Sequence, residues 1–141
     1  LANVIGVHIR MGQDPLQFKY EDISNYTDEG KRSAQNARSV SHWTRFLAEM
    51  KRITKIKPSQ KFLVCCDNPE ALECLEKEMP NNVIHVKKKV YDRSLDQIIS
   101  ALVDLKLLAD TKYVLISPWS SFSEMVYRLS GKTFKTAGQS F

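Results

Sequence analysis

The sequence contains neither the G-x-G-x-x-G dinucleotide fingerprint nor the G-x-x-x-x-G-K-[ST] loop, so any nucleotide it binds is not held in either familiar glycine-rich way. Cysteine is sparse: Cys65, Cys66 and Cys74 are the three. They form no C-x-x-C pair, and the histidine spacing around them does not suggest zinc. Cys65 and Cys66 lie in an apolar run, where cysteine behaves as a small hydrophobe, so buried free thiols are expected. No Ser/His/Asp order and no metal-ligand cluster stands out. No apolar stretch approaches the roughly 20 residues a membrane helix needs. Repeats and low-complexity segments are also missing. The chain starts at Leu1 and enters a strand almost at once, which reads as a piece excised from a longer protein. The lack of a targeting segment then carries no information.

What is present is an ordinary globular composition, 43% hydrophobic and 26% charged over 141 residues. That suits one domain around one core. The formal charge of +5 favours an anionic partner: a nucleotide, a phosphosugar, nucleic acid or a membrane surface. The run Lys87-Lys88-Lys89 is expected to be a solvated loop. No aromatic residues interleave with it, which argues against nucleic acid. The sequon Asn25-Tyr26-Thr27 fits a secretory compartment.

Strand-like runs alternate with helical patterns. Val4 to Arg10 is the first strand, followed by a long polar loop from about residue 11 to 40. Loops of that length in a compact domain are usually functional or disordered. Ser41 looks like an N-cap, and Trp43, Phe46, Leu47, Met50 and Ile53 fall on one helical face. Lys61 to Cys66 is a buried strand, and Pro69 suits the first turn of the helix behind it. That helix turns Leu72, Leu75 and Met79 inward. Val83 to Val86 is a short strand. The helix from Ser94 to about Asp110 is expected to bury Leu95, Ile98, Ile99, Leu102, Leu105 and Leu108. Tyr113 to Ile116 is the next strand. Ser121 and Glu124 form an S-x-x-E capping box opening a helix, which Gly131 stops. Thr133 to Ala137 is a last strand. The alternation predicts an α/β, Rossmann-like domain: a parallel sheet covered on both faces, with right-handed crossovers.

In such a sheet, ligands bind outside the carboxyl ends of the strands. That edge would gather His8, Arg10, Gly12, Asp67, Asn68 and the Ser117–Ser121 turn. Arg10 carries a fork of donors that grips phosphate in a bidentate way, or it pairs with a carboxylate at the sheet edge. Gly12 lets the backbone approach a ligand closely. The N–H groups at Ser120, Ser121 and Phe122 open a helix, a natural anion site, though the serines can act as caps alone. His8 shares a sheet face with Arg10. It either touches a ligand, orients Arg10 or is a satisfied core histidine. Asp67 contacts ligand or caps the following helix. Asp104 sits amid Leu102, Val103 and Leu105. It is exposed on the outer helix face or reaches a partner across the crevice.

The stretch VIGVHIRMG resembles the G-V-H-x-R strand-and-arginine signature of GDP-fucose-dependent fucosyltransferases, above all the α-1,6 and nodulation types and the protein O-fucosyl and α-1,2 groups. FLVCCDNPEALECLEKEMP resembles the family's strand, acidic turn and helix. SLDQIISALVDLKLLADTKYVLISPWSSFSEMVYRL is similar to its acidic helix, strand and Ser-Ser-Phe turn. In order, these motifs cover most of the chain outside residues 13–40.

The resemblance implies the donor-binding half of a two-domain, GT-B-type glycosyltransferase. Its N-terminal acceptor domain is absent from this chain, so the fragment alone is expected to bind donor without transferring sugar. In that family the residue matching Arg10 grips the β-phosphate of GDP-fucose and stabilises the GDP leaving group. His8 matches the histidine against the nucleotide, Asp104 the carboxylate reading the guanine edge, and Ser120 and Ser121 the turn touching phosphate. Asp67 matches the acidic residue ending the second strand. Such enzymes transfer fucose to a glycan or protein with inversion and need no metal. Many relatives carry a second arginine where this chain has Met11, and an Asp shortly beyond, a place Asp14 can fill. Asp14, Glu21 and Asp22 are the candidates for general base. A eukaryotic relative would sit in the Golgi or ER lumen, a bacterial one in the cytoplasm. The alternative is a non-catalytic carbohydrate- or protein-binding module of the same fold.

Overall fold

The computed structural model of the chain describes residues 1–11, 27–88 and 94–141. Among these, five strands pair in parallel in the order β3-β2-β1-β4-β5. The strands are β1 (Ile5–Ile9), β2 (Phe62–Cys66), β3 (Val83–Ile84), β4 (Val114–Ile116) and β5 (Phe134–Thr136). The helices are α1 (Asp28–Val40), α2 (Trp43–Ile56), α3 (Pro69–Glu78), α4 (Leu95–Ala109) and α5 (Ser121–Ser130). This is the expected Rossmann-like α/β fold. The chain leaves β1 to one side for β2 and β3 and returns to its other side for β4 and β5. The strand order therefore reverses between β1 and β4.

The central strands are continuous apolar runs because helices cover both faces. Ile5, Val7 and Ile9 of β1, with Phe62 and Val64 of β2, pack against Phe46 and Met50 of α2 and Leu72 and Leu75 of α3. On the other face, Leu63 and Cys65 of β2 and Val114 and Ile116 of β4 meet Leu105 and Leu108 of α4 and Val126 of α5. Gly6 belongs to this second face. A Cβ there would lie 2.7 Å from Thr111 Oγ1 and 3.0 Å from Leu108 Cδ2, so only glycine lets the end of α4 come this close to β1.

Several expectations need correction. Residues 28–40 are a helix, not loop. Thr27 caps it by accepting from Gly30 N–H, and Asp28 and Glu29 complement its N-terminal dipole. Ser41 is its C-cap, and His42 is the N-cap of α2. Asn68, not Asp67, caps α3. Ser120, not Ser121, caps α5, and Glu124 pairs with Arg128 at 2.7 Å in place of a capping box. Gly131 ends α5 in the left-handed region, φ 61°, as expected. The largest departure is in α4. Leu105 and Leu108 are buried, but Leu95, Ile98, Ile99 and Leu102 are each more than half exposed. Cys65 and Cys66 are buried free thiols, and Cys74 is half-buried. No described helix is long and apolar enough to cross a membrane.

Candidate functional site

An open cleft of about 1090 Å³ lies at the carboxyl edge of the sheet. Its floor is the point where strand order reverses. Arg10, one residue past β1, donates its backbone N–H to Ser117 Oγ at 2.8 Å, one residue past β4. Ser117 N–H donates in turn to the His8 carbonyl at 3.1 Å. The two strand ends are thus tied together, and Ser117 is completely buried between them.

Asp67, at the end of β2, organises the next layer. Its Oδ2 accepts from Arg10 Nη1 at 3.0 Å and its Oδ1 accepts from Met11 N–H at 3.1 Å. Both Arg10 and Asp67 keep some exposure toward the cleft. The sheet-edge salt bridge is therefore real. Arg10 still lines the cleft beside this pair, and a guanidinium carries five N–H donors in a fixed fork.

His8 joins β1 to α5. Its Nδ1 lies 2.9 Å from Ser123 Oγ, and its ring stacks on Phe122 with centroids 4.5 Å apart. Burial pushes its pKa down to about 3, helped by the charges of Arg10, Lys88 and Arg38. His8 is therefore a neutral imidazole at physiological pH. Its contact with Ser123 fixes where α5 begins relative to Arg10. Ser120 Oγ accepts from Ser123 N–H at 3.4 Å. The N–H groups of Ser121 and Phe122 precede the first helical hydrogen bond, so they and the helix dipole favour an anion at this mouth.

Asp104 is buried and reaches across the crevice to Lys88, which is itself only 11% exposed. Lys88 is thus not part of a solvated loop. A charge just after the edge strand β3 is drawn inward because a buried carboxylate must be paired. Burial, and after it the charge of Asp104, raises the Cys65 thiol well above its ordinary range.

Six of the expected site residues, His8, Arg10, Asp67, Asp104, Ser120 and Ser121, line this one cleft. Gly12, Asp14, Glu21, Asp22 and the first two sequon residues lie outside the described residues. Contributors that were not foreseen include Arg38 from α1, Lys88 and Ser123. Arg38 sits on a helix with no apolar stripe to announce it. Lys88 was masked by its run of like charges. Ser123 had a usable signal, since it stands at the third position after the capping serine. Among the described residues no group of three or more His, Cys, Asp or Glu could hold a metal ion.

No family model matches the chain, and no curated protein matches it.

Proposed function

We propose that the cleft is the donor site of a GDP-fucose-dependent fucosyltransferase, with this chain forming one of two Rossmann-like halves of a GT-B-type enzyme. The observation that carries the reading is that Arg10, at the strand-order reversal, shares one cleft with the open N-terminus of α5 and the buried carboxylate of Asp104. Those are a bidentate phosphate grip, a second anion site and an acceptor for a base edge. The motif resemblance assigns the same residues to the same parts of a nucleotide sugar.

In this reading Arg10 and the N–H groups of Ser121 and Phe122 hold the diphosphate. Asp67 fixes the angle of the guanidinium fork. As the bond from the fucose anomeric carbon to the β-phosphate oxygen breaks, charge builds on GDP, and Arg10 stabilises it most at that moment. The acceptor hydroxyl, of a glycan or a protein, attacks from the opposite face and loses its proton to a carboxylate. Inversion follows. Asp104 accepts from guanine N1–H and the 2-amino group, replacing Lys88 as its partner. Adenine offers neither donor in that arrangement. The neutral His8 lies against the nucleotide without adding charge.

Titration with GDP, ADP and UDP tests this. GDP should bind tightest, and Asp104→Asn should erase the preference. Equal binding of all three nucleotides contradicts the guanine assignment.

One observation favours a second reading, a non-catalytic module. Arg10 and Asp104 both already pair with charges of the chain itself, as they would in a domain that holds no nucleotide. Fucose transfer or GDP-fucose hydrolysis by the full-length parent separates the two readings. Their complete absence, with no GDP binding, favours the module.

A further inference from the structure

Trp119 is the one residue other than glycine with positive φ among the described residues, at 54°. Left-handed backbone is strained for an L-residue with a bulky side chain, and such strain persists only where the surroundings over-determine it. Here they do. On one side Ser117 is clamped by its N–H to the His8 carbonyl and by its Oγ to the Arg10 N–H. On the other, Ser120 is fixed as the cap of α5. Pro118 and Trp119, the two residues between, are thus held at both ends.

What the strained residue does with its side chain is the second observation. The indole is not tucked into either core: Trp119 is 51% exposed, and it lines the cleft. A large, half-exposed aromatic ring at a polar cleft mouth, one residue before the cap of α5, suits the flat face of a ring attached to an anion at that helix end. A single platform of this kind fits one ring, not a strand of stacked bases.

We infer that Trp119 is the stacking platform of the cleft, taking a ring of the ligand whose phosphate lies at Arg10 and the start of α5. The ring is either the nucleobase or the apolar face of the attached sugar. This rests on the nucleotide-sugar reading above.

The test uses Trp43→Phe, which leaves Trp119 as the sole tryptophan. Trp43 packs against the opposite core. Fluorescence is followed on adding guanosine, GDP and a GDP-sugar, with calorimetry on Trp119→Ala and melting curves on Trp119→Asn. Asparagine tolerates left-handed backbone. Trp119 emission should be quenched on binding, and Trp119→Ala should weaken the ligand about tenfold. Quenching by guanosine places the base on the indole; quenching by the GDP-sugar alone places the sugar there. Trp119→Asn should melt no lower than wild type while losing affinity. If wild type binds GDP and the GDP-sugar and Trp119→Ala binds both equally well, the platform is wrong and the donor-site reading stands. If wild type binds none of the three, both fall. A lowered melting temperature in Trp119→Asn with unchanged affinity makes the tryptophan structural and overturns the platform.

Discussion

The two faces of the sheet are built for different purposes. The face under α2 and α3 is largely dry: Ile5, Val7, Ile9, Phe46, Met50, Phe62 and Leu75 are buried and apolar, and the one buried charge on α2, Glu49, is paired with Arg52. The face under α4 and α5 interrupts its core with Gly6, a buried histidine, a buried aspartate and a buried serine. It also leaves the first half of α4 with its apolar side chains in the open. Residues of the same strand alternate between these worlds. His8 and its register partner Cys65 face one, and Ile9 and Cys66 face the other. One face therefore carries stability, and the other spends part of its packing on placing polar groups at the carboxyl edge.

The sharpest way to break the contrast is a cavity on the dry face. Phe46→Ala should cost about 3–5 kcal/mol by urea denaturation, and the folded fraction should bind nucleotide as wild type does. A much smaller loss would mean the dry face is not the stabilising one.

On the opposite face, Lys88→Met strips the buried Asp104 of its pair. Removing one partner of a buried pair costs about 3 kcal/mol or more. Lys88→Met combined with Asp104→Leu should recover much of that, since no orphaned charge remains. Additive losses in the double variant would show that the two groups do not act as a pair.

The smallest effect is in pH dependence. Folded His8 resists protonation down to about 3, whereas the unfolded chain takes up that proton near 6.5. The unfolded state thus binds more protons in that window. Stability is complete above about 6.5 and falls as pH drops toward 3, by up to about 1.4 kcal/mol per pH unit. His8→Gln should flatten the change in urea midpoint between pH 7 and pH 5. An unchanged slope would mean that another group carries it.

The same contrast explains what could be read from the sequence. β1, β2 and β4 are legible because burial on both sides writes a continuous apolar run. α2 and α3 are legible because the dry face imposes a stripe, Phe46, Leu47 and Met50 or Leu72 and Leu75. In α4 the pattern of leucines and isoleucines says that the helix is apolar, not what covers it. Periodicity alone put Leu95, Ile98, Ile99 and Leu102 in a core they do not reach. α1 is the reverse case, a helix whose sequence DEGKRSAQNARSV has no stripe and is set by its cap. The site shows the same division. Arg10, Asp67 and the serine turn are legible because strand ends in a parallel sheet converge by topology. Arg38 and Lys88 reach the cleft through tertiary placement, which no local pattern records.

The most direct test of a phosphate grip at the strand-order reversal is calorimetric titration of GDP into wild type and Arg10→Ala, with the melting temperature of each measured alongside. Arg10→Ala should weaken GDP by more than about tenfold, roughly 1.4 kcal/mol, and melt close to wild type, because its ion pair with Asp67 is partly exposed. Equal GDP affinity in the two proteins would contradict it, leaving Arg10 as a sheet-edge salt bridge and nothing more.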